Sequence, residues 1–81
     1  MSLRLQPVHV ATGSNDTEGH LVFKDGFLVA VLVRLSDEHG DNADKWFLET
    51  GFGPVDDPRR PQFADLDEAQ AWLGRQLAKA S

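Results

Sequence analysis

The sequence has no cysteine, a single methionine and no apolar run longer than the seven residues 27–33. Without cysteine there is no disulfide framework and no thiolate for zinc or redox chemistry. An apolar run of that length falls far short of the roughly 20 residues that cross a bilayer. Residues 1–6 read as neither a signal peptide nor an anchor. Positive charge is also scarce: 8 Lys and Arg face 13 Asp and Glu, a formal net charge of −5 over 81 residues. What is present is 41% hydrophobic residues, including 2 Trp and 5 Phe. That share is too high for a disordered chain. The expectation is one small, acidic, soluble, cytoplasmic domain spanning residues 1–81.

Polar breaks divide the chain. Residues 12–19 are rich in Gly, Ser, Asn, Asp and Thr, residues 36–44 are acidic, and residues 53–61 hold three prolines. Between them, Lys24-Asp25-Gly26-Phe27 carries the Asp-Gly pair of a two-residue type I′ hairpin. Such a turn pairs Lys24 with Phe27, and strict period-2 pairing then sets Val22 opposite Val29 and His20 opposite Val31. One face would carry Phe27, Val29, Val31 and Val33, the other Leu28, Ala30, Leu32 and Arg34. A further strand is expected over 44–52, with Trp46, Leu48 and Phe52 on one face. Residues 3–10 make a weaker strand, whose Pro7 suits an edge or a bulge.

The last segment reads as a helix. Asp65 is a good N-cap, Glu68 completes a capping box, and Leu66, Ala69, Leu73, Leu77 and Ala80 form an apolar stripe flanked by Trp72. The expected fold is α+β: an antiparallel sheet of three to four strands, then one C-terminal helix packed on one face, in the order β-β-β-β-α. One helix covers about one face of a small sheet, yet the hairpin is apolar on both. With Leu28, Ala30 and Leu32 under the helix, the face of Phe27, Val29, Val31 and Val33 is the expected interface of a homodimer. The competing expectation is a monomer with its long loops, the 53–61 loop among them, packed over that face.

Chemical motifs are sparse. The acidic loop 37–44 lacks the ligand order of a calcium loop, since Leu48 falls where a bidentate Glu is needed. His9, His20 and His39 form no zinc-ligand pattern. Thr12-Gly13-Ser14-Asn15 could offer backbone N–H groups to an anion, but no Lys follows to make a phosphate loop. No activated nucleophile emerges near a base. The expectation is therefore no enzyme, no metal and no cofactor. Arg34 stands out on an apolar face, with Trp46 nearby. The two are the candidate ligand-binding residues, Arg34 serving as an anchor for an acidic ligand or for Glu49 across the sheet.

Lys45-Trp46-Phe47, followed by Phe63-Ala64-Asp65-Leu66-Asp67-Glu68-Ala69-Gln70-Ala71-Trp72-Leu73, resembles the three-strand-plus-helix arm-binding domains of phage-type integrases and the related AP2 domains. That resemblance covers about the last half of the chain and implies a sheet face laid in a DNA groove. The sequence departs from it in charge. Its basic strand positions are Lys24, Arg34 and Lys45, with Arg59-Arg60 as the one basic pair, and phosphate neutralisation needs more. As a whole the chain is also similar to short stand-alone bacterial proteins of unknown function with a sheet-then-helix plan, which implies no activity. The leading expectation is a non-enzymatic protein–protein interaction or regulatory module. A small-ligand or anion-binding domain is the alternative, and nucleic-acid binding comes third.

Overall fold

A computed structural model describes residues 3–13 and 15–79. Ser14 and Ala80, both named above, lie outside the described residues. The chain forms an antiparallel meander of five strands: β1 (Leu3–His9), β2 (Glu18–Lys24), β3 (Phe27–Arg34), β4 (Trp46–Gly51) and β5 (Gln62–Phe63). The helix α1 (Leu66–Lys79) follows. This is the expected α+β plan, with residues 3–9 a full strand and β5 as an added short one.

Asp25 and Gly26 adopt φ of 53° and 86°, as the type I′ turn requires. Lys24 lies opposite Phe27, and Phe23 opposite Leu28. The register then slips, and Val22 faces Ala30. Val29 is the extra residue of a β-bulge, which corrects the strict alternation expected from the turn. Beyond the bulge His20 lies opposite Leu32 and Leu21 opposite Val31, not His20 opposite Val31. A second bulge falls between β3 and β4. Leu32 faces Leu48 and Val31 faces Thr50, so Glu49 has no direct partner in the ladder.

The core lies between the sheet and α1. Val22, Ala30, Leu32 and Leu48 of the sheet bury against Ala69, Leu73 and Leu77 of the helix, each at most 7% exposed. Burying a Val or Leu side chain fully is worth about 1.5–3 kcal/mol, so this layer dominates the fold's stability. Ala30 and Leu32 are under the helix, as expected. Leu28 is not, because the bulge sends it to the other face, while Val29 packs against the core. The 53–61 loop also joins the helix side: Val55, in a 3₁₀ turn over Gly53–Val55, is fully buried in the same cluster. It therefore does not cover the open face of the sheet. Phe52, expected beside Trp46 and Leu48, lies past the end of β4 and is exposed.

Asp65 caps α1. Its Oδ1 accepts the Glu68 N–H at 2.8 Å, and Glu68 Oε2 accepts the Ala64 N–H at 2.8 Å. At the far edge of the sheet, β1 places Pro7 on a strand with one neighbour, where a missing N–H is tolerated.

Candidate functional site on the open sheet face

The two bulges decide which side chains share the uncovered face. Opposed residues in a ladder point the same way, so the register gives three rows across the sheet. The first row is Arg4, Phe23 and Leu28. The second is Gln6, Leu21, Val31 and Thr50, and the third runs from Val8 through Val33 to Phe47 and Gln62. Leu21, Phe23, Val31 and Phe47 are half-buried, and Leu28 is 36% exposed. Together they make a continuous apolar patch.

The four expected interface residues divide. Val31 and Val33 lie on the open face. Val29 turns to the core at its bulge, and Phe27 sits at the hairpin tip, 74% exposed. Leu21, Phe23, Leu28 and Phe47 replace them. Alternation along β2 alone groups Leu21 with Phe23; joining them to Val31 requires the bulge.

The patch ends differently at two opposite corners. At the β1 corner the Arg4 guanidinium stacks 4.6 Å from the Phe23 ring centroid. Arg4 is exposed and makes no ion pair among the described residues. At the β4 corner lies a half-open cleft of about 280 Å³. Val33, Leu35 and Phe47 form its apolar floor, and Thr12, Asp16, Glu49 and Gln62 its polar rim. Thr12 and Asp16 wall this end: Asp16 Oδ1 accepts the Ser36 N–H at 2.7 Å, and the Thr12 hydroxyl donates to the Asp16 carbonyl at 3.0 Å. Val33 and Leu35 are thereby buried. Glu49 lines the cleft on the same side of β4 as Phe47. Its carbonyl accepts from the Arg60 guanidinium, while its carboxylate makes no hydrogen bond or ion pair among the described residues.

Arg34 and Trp46, the expected ligand pair, are direct cross-strand neighbours. They lie on the helix side, at the end of the sheet. Arg34 pairs with Asp44 and, at 3.2 Å, with Glu18, not with Glu49. Asp44 first, and Glu18 after it, raise the already high guanidinium pKa. Asp44 reaches Arg34 from a left-handed backbone position, φ 67°, just before β4. Trp46 is buried against Phe63 across β5 and meets His20 edge-on, with ring centroids 5.0 Å apart. The bulge accounts for His20 being here and not on the valine face.

Residues 37–42 form two 3₁₀ turns joined at Gly40, φ 58°. Among the described residues no three His, Cys, Asp or Glu side chains gather where they could hold a metal ion. Among them, too, no helix is long and apolar enough to cross a membrane. Comparison with protein-family models, curated proteins and solved structures yields no significant match in any of the three.

Proposed function

We propose that this chain is a cytoplasmic, non-enzymatic interaction module that self-associates through the open face of its sheet. The observation that carries this reading is the apolar patch of Leu21, Phe23, Leu28, Val31 and Phe47, with α1 and the Gly53–Val55 turn both on the opposite side. A contiguous apolar patch rimmed by polar groups marks an interaction surface. Arg4 stands at one corner, and at the other the carboxylates of Asp16 and Glu49 outnumber Arg60, which donates to the Glu49 carbonyl, a balance that favours protein over nucleic acid. Anion binding at Arg34 is the weaker reading, since two carboxylates already occupy that guanidinium. The absence of cysteine fits a reducing compartment.

Light scattering after size exclusion tests the proposal. A mass twice the 9.0 kDa chain is expected, and Val31→Glu is expected to return it to one chain with an unchanged circular-dichroism spectrum. A single-chain mass for the wild type at millimolar concentration sinks the reading.

A further inference from the structure

Arg4 and the Glu49 cleft occupy opposite corners of the open face, on the first and fourth strands of the sheet. The apolar rows of Leu21, Phe23, Leu28 and Val31 lie between them. Any two points on a flat face exchange places under a two-fold axis that lies in the face and is the perpendicular bisector of the line between them. The axis that exchanges these corners passes near the centre of the apolar patch. We infer that the cleft beside Glu49 is the receptor for Arg4 of a second copy of this chain, so that two such contacts close a symmetric, face-to-face dimer. This inference rests on self-association through the open face and adds its register.

Three features support the match. Each partner group lacks a partner of its own within the chain: the Arg4 guanidinium makes no ion pair and the Glu49 carboxylate none, among the described residues. The guanidinium is also held on the face by the Phe23 ring, so little side-chain freedom remains to be lost on docking. The cleft offers what a guanidinium takes, with carboxylates on its rim and the Phe47 ring in its floor. An axis along or across the strands would instead bring Arg4 against end-of-sheet residues of β4 or β1 and leave both charges unmatched. A two-fold interface is self-complementary by construction, and this charge pattern is self-complementary under the diagonal axis.

The test is a charge swap followed by sedimentation equilibrium. Arg4→Glu and Glu49→Arg should each weaken the homodimer by at least about tenfold, because each sets like charges together twice. Mixing the two variants should restore wild-type affinity, since the heterodimer regains two opposite-charge contacts. Arg4→Gln should fall between the wild type and Arg4→Glu, and it supplies the comparison should Glu49→Arg fail to fold. A wild-type dimer whose affinity is unchanged by Arg4→Glu overturns this register and leaves face-to-face association standing. A wild type that stays monomeric overturns both.

Discussion

Gly51 packs so tightly on Val55 that a Cβ at position 51 would lie 2.5 Å from the Val55 carbonyl oxygen. The obstacle is backbone and cannot swing aside. Val55 is itself fully buried between the helix and the sheet. The contact therefore fixes how the 53–61 loop turns under α1. Gly51→Ala should destabilise the fold by about 1–3 kcal/mol, as overpacking does. Gly74→Ala, where a Cβ meets open space on the helix, should be neutral or stabilising. Urea denaturation of the two variants checks the contrast.

The helix cap is separable from the helix packing. Asp65→Ala removes the side-chain acceptor of the Glu68 N–H and should cost about 1 kcal/mol. Asp65→Ser keeps an acceptor and should recover most of that loss. A thermal melt resolves the difference, since 1 kcal/mol moves the midpoint of a domain this size by roughly 4–8 °C.

His20 carries a buried Nδ1 without a hydrogen-bond partner among the described residues, while its ring packs edge-on against Trp46. A buried polar atom left unmatched costs stability, roughly 1–3 kcal/mol. His20→Phe keeps an aromatic ring and removes that atom, so the midpoint of thermal unfolding should hold or rise. A clear fall would mean that the imidazole contributes more than its ring.

Asp57 is held by Arg59 through a side-chain contact at 2.8 Å and the Arg59 backbone N–H at 2.9 Å. These hydrogen bonds, with the guanidinium charge, lower its pKa to about 2. A depressed carboxylate pKa stabilises the folded state above the ordinary carboxylate range. That contribution is lost as pH falls from near 4 through 2. Carboxyl-carbon NMR should show Asp57 titrating well below the ordinary carboxylate range, and Arg59→Ala should move it back towards that range.

Much of this architecture was legible in the residues. Asp25-Gly26 announces its turn, and Asp65 with Glu68 announces the helix start. The stripe of Ala69, Leu73 and Leu77 announces the buried side of α1, and Pro7 announces an edge strand. The candidate site was only half legible, because both bulges fall on residues with no bulge signature. Val29 belongs to an unbroken apolar run, and Glu49 follows Leu48 as any alternating residue would. Neither is glycine, and neither neighbours proline. A bulge of this kind is chosen by tertiary packing: Val29 gains the core, and the Glu49 carbonyl gains Arg60. Each one-residue slip reassigns every side chain beyond it. Arg34 met Asp44 and Glu18 in place of Glu49 because it lies on the helix side opposite Trp46, whereas Glu49 lines the open face with Phe47.

The uninterrupted meander has a consequence for the order in which the protein is made. Every strand pairs with the one just before it, so the sheet can assemble stepwise as the chain leaves the ribosome. The helix that covers Val22, Leu32 and Leu48 is encoded after all of them. During synthesis the growing sheet is thus bare on both sides, and release of residues 66–79 ends that exposure on one side. A stalled or truncated chain would offer two sticky faces where the finished one offers a single face.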